Sequence, residues 1–305
     1  MATEETFLIG TGQTYTTLAG YISGEAQDLV AADINQVVTL DSTAFGEDFQ
    51  SAFVGFTTDA TRNIKITVAD ANRPDGTVDG STIHLTNTNS SQMFRPVSTC
   101  DWLVLDGLYL EVTASSCIGD GNSCENTQVI RCMLLSSTGG DDLISTGTAI
   151  NVESTAFVMH SGNDFCVCTA GVNGIFNNCT GIGQGDGRGF VGNAVYTNCI
   201  ALQANSTGID QENAASDYNL TDDASITGGN NFPSETASDI VTDLTSGSED
   251  FNLKASTNAI QTGTDMGVAL DMLGNSLSTT PDLGCIQFTA AAATFNGHLL
   301  LLGAG

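Results

Sequence analysis

The chain has 305 residues, enough for one large domain or two modest ones. Hydrophobic residues make up 41% and charged residues 14%, and seven Lys+Arg face 35 Asp+Glu, a net charge of −28. Such a composition excludes a disordered chain, and so negative a surface excludes nucleic acid and anionic membranes as partners and repels acidic polysaccharides unless cations intervene.

The opening "MATEETFLIG" carries no basic segment and no apolar run of signal-peptide length. The reading is of synthesis in a reducing cytoplasm. Phe7, Leu8 and Ile9 form an apolar patch there, read either as an assembly contact or as a strand closing the chain's own core. Next, "TYTTLAGYISGEAQDLV" predicts an amphipathic helix of about three turns, capped by Thr16 or Thr17, with Leu18, Tyr21 and Ile22 at helical spacing. Residues 1–60 are expected to form an N-terminal arm and helical cap.

Residues 61–215 repeat. The phrases "VLDGLYL", "VIRCMLL", "STAFVMH", "FNNCTGI" and "YTNCIAL" align on positions 107, 132, 156, 179 and 199, a spacing that shortens along the chain. Echoes precede them around Ile66 and Leu85. In this alignment the slot holds Gly107, Cys132, Ala156, Cys179 and Cys199, always a small residue. Between the phrases lie Gly, Ser, Asp and Asn, which form turns. Short strands joined by turns at a period of 20 to 25 predict an all-β parallel solenoid, with coils stacked about 4.8 Å apart and the slot facing inward. A metal ligand or a disulfide cysteine cannot alternate with Gly or Ala, so the slot cysteines are read as buried filler. The nine cysteines are odd in number and contain no CxxC pair, and the CxC of Cys166 and Cys168 has only His160 near it, so neither a disulfide framework nor a zinc site is expected. Asn178 and Asn198, one place before the slot, are placed to stack their amides.

After about residue 210 the period fades. Residues 216–288 are acidic and turn-rich, end in the strand-like "PDLGCIQF", and are expected to run along the outside of the solenoid as an irregular C-terminal cap. Residues 289–305 form an apolar tail, whose Phe295, Leu299, Leu300, Leu301 and Leu302 are candidate assembly contacts with the same core-closing alternative.

"YTTLAGYISGEAQDLVAADINQVVTLDSTAF" and "GFTTDATRNIKITVADANRPDGT", then the Asn-Cys coils and "FNLKASTNAIQTGTD…PDLGCIQF", resemble right-handed parallel β-helix (pectate-lyase-like) proteins of tailed bacteriophages over roughly residues 15–288. The resemblance implies a right-handed β-helix; its members include virion surface proteins, tail spikes and carbohydrate-active enzymes. Enzymes of this group hold Ca²⁺ with an Asp cluster beside an Arg or Lys base, or use two or three carboxylates with His-Gly and Arg-x-Lys phrases. Neither phrase occurs in this chain. The weak catalytic candidates are Asp141, Asp142, Asp186 and Arg188, with Glu153, Asp164, Asp222, Asp223 and Arg131 behind them; all read more simply as turn or surface residues. His84, His160 and His298 have no partner motif and read as structural.

The expectation is therefore a non-enzymatic virion protein with no cofactor and no metal, made in the host cytoplasm. A head decoration or cement protein fits better than a tail spike, because spikes of this fold are longer. Its partners would be itself, as a homotrimer, and the major capsid protein or another virion protein, with host surface glycans a further partner. A polysaccharide lyase or hydrolase, free or on a tail spike, and a carbohydrate-binding adhesin are the alternatives.

Overall fold

A computed structural model describes residues 2–41, 47–78, 84–89, 91–113, 116–119, 124–137, 142–146, 148–160, 165–169, 174–184, 188–203, 208–209, 213, 215–224, 226, 229–255 and 257–289. From Ile34 to Gly192 each circuit of the chain lays one strand on each of three sheets, and within a sheet neighbouring strands run parallel. The first face has eight strands: Thr3–Ile9, Ile34–Leu40, Ile64–Val68, Leu103–Asp106, Gln128–Ile130, Asn151–Glu153, Ile175–Asn177 and Val195–Thr197. The second also has eight: Glu47–Asp48, His84–Asn87, Tyr109–Val112, Met133–Ser136, Ala156–Met159, Thr180–Gly183, Ile200–Leu202 and Leu220–Thr221. The third has six: Ser51–Ala52, Phe94–Arg95, Ile118–Gly119, Ile144–Thr146, Phe165–Thr169 and Arg188–Gly192. The chain is a parallel β-solenoid, as its period predicts.

Side-chain alternation builds the interior. In "INQVVTL" and "IKITV" every second residue is buried, the period of a sheet with one dry side. The ladders then place Val38, Ile66, Leu105, Val129, Val152, Phe176 and Tyr196 in one fully buried column. Burying each such side chain contributes on the order of 1.5–3 kcal/mol. The later coils are filled by aromatic rings, with Phe176 5.3 Å from Tyr196 and Phe157 5.7 Å from Phe190. Room for Phe190 comes from Gly181, where a Cβ would stand 3.2 Å from the ring.

From the strand Leu103–Asp106 onward, each coil turns from the first face to the second through one residue of left-handed conformation: Gly107, Arg131, Ser154, Asn178, Asn198 and Tyr218, with φ between 47° and 73°. Asn adopts this region more readily than most side chains, which accounts for the Asn of the Asn-Cys phrase. The residue after the bend faces inward. By register this column is Leu108, Cys132, Thr155, Cys179, Cys199 and Asn219. Its spacing tightens toward the C-terminal end, where the coils are shorter.

The alignment by size therefore needs correcting at two places. Gly107 belongs to the bend, opposite Arg131, and Ala156 lies one place past the slot, opposite Met133. Past Leu108, what the slot holds in every coil is a small donor. The Cys132 thiol donates to the carbonyls of Ile130 (3.3 Å) and Leu105 (3.5 Å), and the Cys199 thiol to those of Phe176 (3.4 Å) and Thr197 (3.5 Å). Thr155 Oγ1 donates to Glu153 O at 2.9 Å and Asn219 Nδ2 to Tyr196 O at 2.8 Å. Cys, Thr and Asn are interchangeable here because each satisfies a backbone carbonyl at the bend. The echoes at Ile66 and Leu85 also separate: Ile66 is on the first face and Leu85 on the second. The coil step from Ile66 is to Leu105, because the excursion through Asp70–Asn72 lengthens that coil.

The N-terminal helix spans Leu18–Glu25, with Thr17 as its cap, accepting from Gly20 N at 3.0 Å. It is two turns rather than three, because Asp28 accepts from Ala31 N and starts a separate short helix, Leu29–Ala32. Leu18, Tyr21, Ile22 and Leu29 join the interior core. At the other end, Leu220 bridges Phe232. Residues beyond it run along the outer side of the second face, where Phe251, Met272, Cys285 and Ile286 cover Tyr109, Met133, Leu135, Val158 and Ile182. Among the described residues no helix is long and apolar enough to cross a membrane.

Candidate functional site

Among the described residues, the densest charge cluster stands at the bend end of the first face. Asp106 closes the strand Leu103–Asp106 and points outward, yet its side chain is only 1% exposed. Three cations enclose it. Lys65, one coil earlier, places Nζ 2.8 Å from Oδ2. Arg73 donates from Nη1 to Oδ1 at 2.8 Å and from Nη2 to Oδ2 at 3.3 Å. Arg131, on the next bend, donates from Nη2 to both oxygens at 2.7 and 2.8 Å and from Nε to Oδ1 at 3.1 Å. Three of the chain's seven Lys and Arg thus converge on one carboxylate.

Local sequence explains the convergence. The left-handed φ of 54° at Arg131 turns its side chain off the inward-outward alternation of the strand. Gly107 lets Arg73 lie against the backbone, since a Cβ there would stand 2.1 Å from Nη1. Burial alone would raise the Asp106 carboxyl. Hydrogen bonds and charge from Arg73 and Lys65 outweigh it and hold the group at about 2. Asp106 is therefore anionic throughout the physiological range, and unsuited to accept or release a proton in a reaction.

A second polar knot joins the solenoid to its C-terminal segment. Glu249, fully buried, accepts from Gln184 Nε2 at 2.7 Å and Gly247 N at 3.0 Å, and pairs with His160 Nε2 at 2.9 Å. His160 thus has a partner far along the chain that no local motif announces.

Asp141, Asp186, Asp164 and His298 lie outside the described residues, as do Phe295 and Leu299 to Leu302. Asp142 is half-buried just before the strand Ile144–Thr146. Arg188 opens the strand Arg188–Gly192; its side chain, like that of His84, is outside the described set. Glu153 faces outward on the first face and accepts from Asn151 Nδ2 at 3.0 Å. Asp222 and Asp223 hold the backbone amides of Gln203 (2.7 Å) and Gly208 (2.8 Å), with burial raising the Asp222 carboxyl. At the N-terminus Ile9 is fully buried and Phe7 packs 5.2 Å from Tyr21, so both serve the chain's own core; Leu8 points outward, 41% exposed.

Seven described cysteines are free and buried. Burial pushes the Cys132 and Cys285 thiols up to about 12 and that of Cys179 well above its usual range. These three thiols stay protonated, the reverse of the thiolates that bind metals or attack substrates. Among the described residues no three His, Cys, Asp or Glu come together to hold a metal ion. No protein-family model matches the chain, and no curated protein matches it.

Proposed function

We propose that the chain is a non-enzymatic structural protein of a tailed-phage virion, a decoration or cement protein that assembles as a homotrimer on the capsid surface, with its β-solenoid wound right-handed. One observation carries the non-enzymatic part. Lys65, Arg73 and Arg131 are all engaged by a buried carboxylate that stays ionised, whereas a lyase base must be free to take a proton from its substrate. The cluster instead ties three successive coils together, a role that suits a stiff rod. The virion assignment is supported by the sequence resemblance and by a charge of −28, which keeps free copies dispersed before assembly.

The test is mass spectrometry of purified virions together with a density map of the particle. The protein is expected in stoichiometric amounts on the head surface; its absence from purified particles sinks the proposal. The lyase or hydrolase reading has one observation in its favour. The His160–Glu249–Gln184 knot adjoins two of the second-to-third-face connections, and the same set of connections holds Asp141 and Asp186 in sequence. Depolymerisation of host capsule by the purified chain, abolished by Asp186→Ala, would establish it instead.

A further inference from the structure

The strand Thr3–Ile9 is the edge of the first face: among the described strands it pairs with Ile34–Leu40 alone. In a parallel ladder, alternate residues of a strand bond the same neighbour. The bonds from Thr3 N to Asp33 O and from Asp41 N to Ile9 O, both 2.9 Å, fix which ones. Thr3, Glu5, Phe7 and Ile9 turn their amides and carbonyls toward Ile34–Leu40, so Glu4, Thr6 and Leu8 turn theirs to the other side. There Gly10 N donates to Tyr15 O at 3.1 Å and Tyr15 bridges Ile9, which closes one end of the edge. Among the described residues no backbone bond reaches the amides of Glu4, Thr6 and Leu8 from that side. Thr3, Glu4, Thr6 and Leu8 are exposed. The edge from Thr3 to Leu8 is about 20 Å long.

An edge of this kind pairs with any extended chain unless something selects among them. Here charge selects. Residues 1–41 carry six acids, Glu4, Glu5, Glu25, Asp28, Asp33 and Asp41, and no Lys or Arg. The first cation of the chain, Arg62, is held by Asp33 at 2.9 Å and Asp59 at 3.1 Å. Two copies meeting edge to edge would bring two such ends together on bodies of −28, which repel. The same acids attract a cationic strand.

We propose that the free edge of Thr3–Ile9 docks an extended basic segment of another protein, which adds itself as a further strand through main-chain hydrogen bonds to Glu4, Thr6 and Leu8. The inward row is already capped, since Phe7 packs against Tyr15 at 6.4 Å and Tyr21 at 5.2 Å. The incoming strand is therefore read on the outward row, at every second residue. A Lys or Arg lies beside Glu4, a hydroxyl or β-branched residue beside Thr6, and an apolar residue beside Leu8. The inference concerns this edge alone and holds whether or not the chain belongs to a virion.

The probe is a fluorescein-labelled peptide, Lys-Val-Thr-Val-Leu or its reversed sequence, titrated with the full chain and read by fluorescence anisotropy. Thr6→Pro is the decisive variant. The Thr6 N–H points away from Ile34–Leu40, so proline there removes an edge donor and leaves the ladder and the net charge unchanged. General attraction of a cationic peptide to an acidic chain persists in this variant; binding at the edge does not. At least one of the two Lys peptides is expected to bind the wild type, and to bind Thr6→Pro about tenfold more weakly, the worth of one or two main-chain hydrogen bonds. Methylating alternate amides of the peptide is expected to give a similar loss on the wild-type chain, a readout that does not depend on how the variant folds. A peptide with Glu in place of Lys is expected not to bind. Absence of binding by both Lys peptides overturns the proposal, as does binding that neither Thr6→Pro nor amide methylation weakens. Equal binding of the Lys and Glu peptides overturns the basic partner. So does a wild-type dimer in sedimentation velocity that Thr6→Pro abolishes, which would assign the edge to a second copy.

Discussion

Asn198 stacks directly on Asn178. Its Nδ2 donates to Asn178 Oδ1 at 3.4 Å, and both residues hold the left-handed bend, at φ 57° and 54°. Asn198 also binds the C-terminal segment, donating to Thr264 O at 2.7 Å and accepting from Thr264 N at 2.9 Å. Two requirements meet at this position and can be separated. Asn198→Gly keeps the bend and loses the side-chain bonds, at a cost of about 1–3 kcal/mol. Asn198→Ala loses both, adding about 1–2 kcal/mol of backbone strain. Urea denaturation should rank wild type above Gly above Ala; Ala as stable as Gly would show that the bend is unstrained.

The Asp106 cluster should dominate acid sensitivity at this end of the stack. The carboxyl is held at about 2, below its ordinary 3.8. Its contribution is therefore fully present above about pH 4 and is lost as the pH falls through 2, a change of about 2 kcal/mol. Asp106→Asn removes that pH dependence and leaves three cations around a neutral group, at a cost of about 3–5 kcal/mol at pH 7. Thermal melts of both proteins between pH 2 and 7 measure this; curves that stay parallel would contradict it.

The slot cysteines should be inert in the native state. Mass-spectrometric mapping after iodoacetamide treatment should find Cys132, Cys179 and Cys199 unmodified, and labelled only at the rate of unfolding. Cys199→Thr keeps a donor and should cost under about 1.5 kcal/mol. Cys199→Val removes it and should cost about 1–3 kcal/mol more, because the Phe176 and Thr197 carbonyls lose a buried partner. Equal stability of the Thr and Val variants would reduce the slot to a matter of size.

Glu249 fixes the C-terminal segment to the second face. In Glu249→Ala the Gln184 amide and Gly247 N–H lose their buried acceptor, which should cost about 2–4 kcal/mol. The loss should be local. Hydrogen exchange should quicken in residues 241–254 and remain slow in the strand Ala156–Met159. A uniform change across the chain would mean that segment and solenoid unfold as one unit.

The solenoid was legible in the sequence because its coils repeat one phrase, and inward Val, Ile, Leu and Phe alternate with outward polar residues at a period of two. The helix cap at Thr17 followed from local chemistry in the same way. The exact register was not legible, since Gly107 and Ala156 resemble Cys in size while the slot from Cys132 to Asn219 holds donors. Nor was the Asp106 cluster. Lys65, Arg73 and Arg131 are each a full coil or most of one away from Asp106 along the chain, and coils of unequal length bring them together. His160 looked partnerless for the same reason: Glu249 reaches it only because the C-terminal segment returns along the second face.

The bend fixes more than direction. From Val104, Gln128, Asn151, Ile175 and Val195, aligned across the first face, the second-face strand begins five residues later in every coil. From Val104 to Val195 every change in coil length is therefore taken up in the stretch running from the second face through the third and back to the first; only the earlier coil, with its excursion through Asp70–Asn72, lengthens on the bend side. Over these coils one side of the molecule keeps a constant count while the other absorbs insertions and deletions. A lineage of such chains can lengthen, shorten or decorate that variable side without shifting a single rung of the ladder, and a peptide or tag grafted after Gln184 would be carried in the same way.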